Sequence, residues 1–174
     1  MEISADALVV LIGASGSGKS TFAARVFPET ALISSDSLRA AKHAAGWSKT
    51  RHDVFDALLA AVERRLSDGV LTVVDATNTD WMRRSELIHI ARAHRRPAVA
   101  IVFALPADQC LAGRSRDKRV PAATVRRQAG TVLADLERLD LEGFAPVVVL
   151  RSHQEAKAAG VEIKRGPENR ASLP

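Results

Sequence analysis

The sequence predicts an α/β fold in which a five-stranded, mostly parallel sheet is flanked by helices. Apolar runs of strand length alternate along the chain with segments of helical periodicity, a pattern typical of βαβ units. The first apolar run leads directly into a glycine-rich loop. With 174 residues, of which 47% are apolar, the chain is long enough to bury one substantial core. We therefore expect one main domain.

Five strands and six helices are expected within this pattern. The strands are predicted near Leu8–Ile12, Ala31–Ser34, Leu71–Asp75, Val99–Ala104 and Val147–Leu150. The helices are predicted near Lys19–Phe27, Ser37–Ala45, Arg51–Ser67, Trp81–His94, Ala107–Arg116 and Ala122–Asp140.

Local signals support several of these boundaries. Residues 7–12 are all apolar, as in a strand buried on both faces, and the helix that follows is expected to stop before Pro28. The helix from Arg51 carries an apolar stripe with i, i+3 and i+4 spacing and ends at Asp68 and Gly69.

The domain organisation is read from a change in composition near Arg151. Residues 1–151 are predicted to form the main domain, with a lid near 106–121. Residues 152–174 are more polar and are predicted to form a partly disordered C-terminal extension, with a short strand at Val161–Ile163.

The glycine-rich loop carries the most specific motif. Residues 13–20 read GASGSGKS, which matches the phosphate-binding pattern G-x-x-x-x-G-K-[ST]. Gly13 and Gly18 are expected to allow backbone angles that turn N–H groups towards phosphate oxygens. Lys19 can reach the β and γ phosphates, and the Ser20 hydroxyl can ligate Mg²⁺. The residues predicted to contact a nucleoside triphosphate are Gly13, Ser15, Gly16, Ser17, Gly18, Lys19, Ser20 and Thr21.

Two acidic residues follow predicted strands, where ligands gather in open α/β sheets. Asp36 lies just past the second strand and can accept a proton from an attacking hydroxyl, while Arg39 lies about one helical turn away. The alternative is that Asp36 only caps the next helix. Asp75 ends an apolar strand, as expected of an acid that organises Mg²⁺.

A basic run between residues 113 and 121 is predicted to be a lid. Four of its residues are basic, and such a run is ordinarily a solvated loop. Because it follows the fourth strand by one short helix, we favour a mobile segment whose arginines close over phosphates.

The overall composition bounds the class of protein. The net charge of +5 and the isoelectric point near 10.0 are modest evidence for a polyanionic partner. The single cysteine, Cys110, cannot form an internal disulfide, and no Cys/His spacing suggests zinc. No apolar stretch has the length of a membrane span and the N-terminus does not read as a secretory signal, so a cytoplasmic location without membrane association is expected. The oligomeric state cannot be read from the sequence.

Taken in order, the motifs resemble the kinase domain of the polynucleotide 5′-hydroxyl kinase family of phage and bacterial end-repair enzymes. The resemblance rests on GASGSGKSTFA, ISSDSLR, the helix VFDALLAAVERRLSDG, LTVVDATN and a lid that ends in RVP. It covers the chain from about Leu8 to Arg151.

The resemblance implies that the γ-phosphate of ATP is transferred, with Mg²⁺, to the 5′-hydroxyl of a DNA or RNA end. It implies that Lys19 and Ser20 bind the triphosphate and the metal, that Asp36 is the general base, and that Arg39 holds a phosphate of the acceptor. Arg114 and Arg119 are the lid arginines it assigns to the donor phosphates.

Two other functions fit the same residues. One is a kinase for a small molecule, such as a sugar, a nucleoside or an antibiotic with a reactive hydroxyl. The other is an ATP-dependent switch that transfers no phosphate, although such a switch needs no hydroxyl base and therefore gives Asp36 no purpose.

Overall fold

The computed structural model describes residues 1–44, 51–113 and 120–164. Within them the strands are β1 (Glu2–Ser4), β2 (Leu8–Gly13), β3 (Leu32–Ser34), β4 (Thr72–Asp75), β5 (Ala98–Phe103), β6 (Val147–Leu150) and β7 (Glu162–Lys164). The helices are α1 (Lys19–Val26), α2 (Ser35–Ala44), α3 (Arg51–Ser67), α4 (Trp81–Ala93), α5 (Ala107–Ala112), α6 (Ala122–Glu142) and α7 (His153–Ala158). None of the helices in this part of the chain is long and apolar enough to cross a membrane.

The predicted five-stranded sheet is confirmed, and each of its strand pairs is parallel. The strand order is β3-β4-β2-β5-β6. In the register, Asp75 lies opposite Leu11 of β2 on one side and opposite Ser34 of β3 on the other. The carboxyl ends of β2, β3 and β4 therefore meet at one edge of the sheet. The phosphate loop follows β2 at this edge, Asp36 follows β3, and Asp75 is the last residue of β4.

Helices cover both faces of the sheet and bury two apolar clusters. One cluster joins Val9 and Leu11 of β2 to α1, α5, α7 and the first half of α6. The other joins Leu8, Val10 and Ile12 to α3, α4 and the second half of α6. Because β2 is buried on both faces, its apolar run lacks the alternation of a half-exposed strand.

Helix α2 begins two residues earlier than the sequence analysis places it. The Ser37 N–H donates to the Ser34 hydroxyl at 3.4 Å, so Ser34 occupies the N-cap position and accepts from the third residue of the helix. Asp36 therefore lies in the first turn of α2 and is not its cap.

Residues 152–164 are packed on the main domain. Strand β7 pairs in parallel with β1, and Arg25 of α1 donates to the carbonyls of Ala156 and Ala159 at 2.7 and 2.8 Å. Ala156 is buried in the first apolar cluster. The short strand predicted at Val161–Ile163 is observed one residue later, whereas residues 165–174 lie outside the described residues.

Candidate active site

The phosphate loop is fixed between β2 and α1 by its glycines and by one anchoring hydrogen bond. The Gly13 N–H donates to the Thr77 carbonyl at 3.0 Å, which ties the loop to the segment after β4. Gly16 and Gly18 adopt left-handed backbone angles, with φ of 82° and 94°. Gly13 is not among the glycines with positive φ; a Cβ there would lie 2.8 Å from Ser17 Oγ and 2.9 Å from Phe103 Cβ. The expectation that Gly13 supplies unusual backbone angles is therefore wrong. Glycine is needed at this position because a side chain would collide with Ser17 and Phe103.

Several N–H groups of the loop are free to bind an anion. Among the described residues no hydrogen-bond acceptor is found for the N–H groups of Gly16, Gly18, Lys19, Ser20 and Thr21. The Ser17 N–H, in contrast, donates to the Ala14 carbonyl at 3.2 Å, and the Ser15 N–H donates to Gln128 Oε1 at 3.0 Å. Consecutive free donors at the start of a helix are what the phosphates of a nucleotide require, so the loop fits a triphosphate.

The ammonium group of Lys19 is buried inside the same loop. Its Nζ donates to the Ala14 carbonyl at 2.8 Å and to Ser17 Oγ at 3.3 Å. Burial lowers the pKa of Lys19 to about 8, against the opposing effect of the Asp75 and Asp36 carboxylates. A bound polyphosphate would restore the favourable electrostatic environment that the buried ammonium lacks.

Cys110 is a core residue. Its thiol is buried and faces the Leu105 carbonyl at 3.8 Å, and burial raises the pKa of the thiol. A raised pKa disfavours the reactive thiolate, so Cys110 has a packing role.

The two predicted metal ligands, Asp75 and Ser20, lie on different elements. Asp75 is the buried last residue of β4, and Ser20 lies in the first turn of α1 with an exposed side chain. The described residues hold no group of three His, Cys, Asp or Glu side chains that could bind a metal ion. One hydroxyl and one carboxylate nevertheless fit Mg²⁺, which normally takes its remaining ligands from water and substrate phosphates.

The segment after Asp75 is held in a fixed conformation. Asn78 has a positive φ of 48°, and its Nδ2 donates to the Leu11 carbonyl at 2.7 Å. Arg84 donates to the Asn78 carbonyl at 3.0 Å. The structure thus gives the Asn78 side chain a turn-forming role.

Arg84 is a buried structural residue that the sequence did not indicate. Its side chain is only 1% exposed, and its guanidinium donates to Glu142 at 2.6 and 2.7 Å and to Asp135 at 2.9 Å. Burial opposes its charge, but the hydrogen bonds to both carboxylates outweigh burial and raise its pKa. The partners lie 51 and 58 residues away on α6, so no local pattern could have indicated the contact.

Asp36 and Arg39 lie together on one face of α2. The two side chains form an ion pair and are 85% and 60% exposed. They line an open groove of about 410 Å³ together with Ala40, His43 and Ala44. The predicted acid and guanidinium are thus brought together in one groove that follows β3, the strand beside β4.

The end of α5 packs tightly on the phosphate loop. A Cβ on Gly113 would lie 2.4 Å from the Gly16 carbonyl and 2.9 Å from His153 Nε2. His153 opens α7, and sequence reasoning did not single it out. Arg114 and Arg119 lie outside the described residues, so their assignment to a lid stays a prediction.

Comparison with known proteins identifies the family and the fold of the chain. The chain matches the family described as an AAA domain over residues 8–139. No curated protein matches it. Among solved structures, a gluconokinase from Sinorhizobium meliloti 1021 is similar with 20% identity and a TM-score of 0.57, covering 89% of this chain and 91% of that chain.

Two further solved structures are similar to the chain. A putative kinase from Chloroflexus aurantiacus j-10-fl has 16% identity and a TM-score of 0.57, with 89% of this chain and 95% of that chain covered. Chaetomium thermophilum Kti12, in complex with ADP-AlF3, has 20% identity and a TM-score of 0.52, with coverages of 87% and 94%. These identities show a shared fold, which is that of P-loop kinases. The resemblance seen in the sequence therefore holds at the level of this kinase fold, and the chain belongs to the AAA domain family.

Proposed function

We propose that this protein is an ATP-dependent phosphotransferase that moves the γ-phosphate to a hydroxyl group of a small anionic molecule. The observation that carries the proposal is the Asp36–Arg39 pair in its groove. The pair follows β3, at the same edge of the sheet as the phosphate loop. Strand β3 lies beside β4, which ends at Asp75.

The donor half of the site is supplied by the loop and by Asp75. The free N–H groups of Gly16 and of residues 18–21 would bind phosphate oxygens, and Lys19 would balance their charge. Mg²⁺, held through Ser20 and Asp75, would neutralise charge on the β and γ phosphates. Because phosphoryl transfer has a loose transition state, positioning and charge provide most of the catalysis.

The acceptor half is supplied by α2. The exposed Asp36 carboxylate can accept the proton of an incoming hydroxyl, and Arg39 can bind a carboxylate or phosphate on the same acceptor. The groove that they line is open, so an acceptor can reach both side chains from solvent. A gluconokinase among the similar structures supports a small-molecule kinase at the level of the fold.

A nucleic acid end is the second candidate acceptor. The order of ISSDSLR and VVDATN after the phosphate loop favours it, and a 5′-terminal nucleotide also presents a hydroxyl near a phosphate. The ATP-dependent switch is the third reading, and the similarity to Kti12 supports it as well as any kinase at the level of fold.

The test is an acceptor panel with labelled ATP and Mg²⁺. The panel contains sugar acids, sugar phosphates, neutral sugars, nucleosides, 3′-nucleotides and 5′-hydroxyl DNA and RNA oligonucleotides. We expect label on a small anionic acceptor, with a KM that changes only a few-fold between 50 and 200 mM salt. Label on oligonucleotides alone, with the steep salt dependence of phosphate contacts, would replace the proposal by the second candidate. Nucleotide binding without label on any acceptor would favour the switch.

A further inference from the structure

Gln128 touches the phosphate loop from a distant helix. It lies on α6, and its Oε1 accepts the Ser15 N–H at 3.0 Å across 113 residues of sequence. Since an N–H group needs an oxygen acceptor, this bond also fixes which way the planar carboxamide faces. The Nε2 group of Gln128 has no acceptor among the described residues, so its two hydrogens are available to a ligand.

The contact lies next to the part of the loop that receives phosphate. Ser15 directly precedes Gly16, whose N–H group has no acceptor among the described residues. Lys19 reaches back to the Ala14 carbonyl, on the other side of Ser15. Lys19 is the residue expected at the β and γ phosphates, and its Nζ binds the carbonyl of the residue before Ser15, so we expect the Gln128 carboxamide to lie near the terminal phosphate.

Helix α6 holds Gln128 firmly in this position. Ala129, the next residue, is buried in the first apolar cluster, and the second half of α6 is bound to Arg84 through Asp135 and Glu142. Arg84 in turn binds the Asn78 carbonyl. The helix that carries Gln128 is therefore bound, through Arg84, to the segment after β4. The phosphate loop is bound to the same segment through the Gly13 N–H.

We propose that Gln128 belongs to the donor site and distinguishes a triphosphate from a diphosphate. Its Oε1 keeps Ser15 in place, and its Nε2 donates to an oxygen of the γ-phosphate. The inference rests on the proposed function, because it takes ATP as the phosphate donor. It adds a residue to the donor site that the phosphate-binding motif does not contain.

The experiment measures ATP and ADP affinities, both with Mg²⁺ and without acceptor, by calorimetry. The variants are Gln128→Glu and Gln128→Ala, with Gln154→Glu as the matched control on the exposed face of α7. In Gln128→Glu an oxygen can still accept the Ser15 N–H, but the donor is lost and a negative charge is added. We expect its ATP affinity to fall at least 10-fold more than its ADP affinity. Gln128→Ala should show the same preference at a smaller ratio, and Gln154→Glu should match wild type.

The outcomes separate this inference from the proposed function. Wild type that binds both nucleotides, with equal losses for ATP and ADP in both Gln128 variants, would reduce Gln128 to a support for the loop and overturn the inference alone. Wild type that binds neither nucleotide would overturn the proposed function and the role of Gln128 with it. Melting temperatures identify a variant that fails to fold, in which case the other variant decides.

Discussion

The buried ammonium group of Lys19 suits the phosphate loop for anion binding but lowers the stability of the protein without ligand. Its buried ammonium has only neutral hydrogen-bond partners, the Ala14 carbonyl and the Ser17 hydroxyl. Burial lowers its pKa from 10.5 to about 8, so the charged form is less favourable in the folded protein than in the unfolded chain. The loop is therefore prepared for an anion at the expense of the protein without ligand.

We expect Lys19→Met to stabilise the protein without nucleotide. At pH 7 the free energy of unfolding should rise by about 1–3 kcal/mol, because the folded state no longer carries a buried charge. Between pH 8 and pH 10.5 the unfolded wild type binds more protons than the folded wild type, so wild-type stability rises with pH in this window. The difference in unfolding free energy between Lys19→Met and wild type should therefore shrink as the pH rises through this window.

Urea denaturation of both proteins at pH 7 and pH 10 measures the effect of Lys19, with calorimetry to confirm that the variant no longer binds ATP. A Lys19→Met protein that is less stable than wild type at pH 7 would contradict the buried-charge account.

At the scale of elements, the end of α5 is fitted to the phosphate loop. The Gly113 position leaves no space for a side chain, since a Cβ would meet the Gly16 carbonyl at 2.4 Å. Its backbone angles are ordinary for a helix end, with φ of −76° and ψ of −7°. The requirement for glycine is therefore one of close packing between two backbones.

We expect Gly113→Ala to displace the end of α5 or the loop. A shift of about 1 Å at the phosphates should lower turnover by about 10-fold or more. The matched control is Gly130→Ala, because Gly130 lies in α6 with no atom within 4 Å of its Cβ position. The control should keep full activity and gain about 0.5–1 kcal/mol in unfolding free energy. Equal activity in the two variants would show that the α5 contact does not matter for catalysis.

Helices α4 and α6 are joined by Arg84, which also supports the turn at Asn78. Replacing Arg84 with Met should lower the free energy of unfolding by about 3 kcal/mol, because two carboxylates and a backbone carbonyl lose their shared partner. The neighbouring Arg83→Met is the control. Arg83 lies over the Phe55 ring at 4.3 Å and is partly exposed, so its loss should cost about 1 kcal/mol or less. Denaturation curves for the two variants that coincide would rule out the role assigned to Arg84.

At the scale of the whole molecule, the parallel sheet could be predicted because its signals are local. A short stretch of sequence is enough to recognise each apolar run, at β2, β4 and β5, and the amphipathic helix α3. The motif GASGSGKS likewise carries its own loop geometry. Together they predicted the edge of the sheet at which the phosphate loop, Asp36 and Asp75 lie.

The features missed by the sequence depend on contacts between distant residues. Strand β1 has three residues and exists because β7 pairs with it about 160 residues later. Gln128 reaches Ser15, and Arg84 reaches Glu142, through the path of α6 across the sheet. Residue types and spacing do not encode such pairings, since polar residues on a helix are ordinarily solvated.

The central claim is that the fold brings a hydroxyl base on α2 to the phosphate donor held after β2. Single-turnover transfer from bound ATP, measured for wild type, Asp36→Asn and the exposed control Asp56→Asn, tests it most directly. We expect Asp36→Asn to lower the transfer rate by about 10² or more while its ATP affinity stays near that of wild type, and Asp56→Asn to behave as wild type. A wild-type transfer rate in Asp36→Asn would show that Asp36 is not the hydroxyl base.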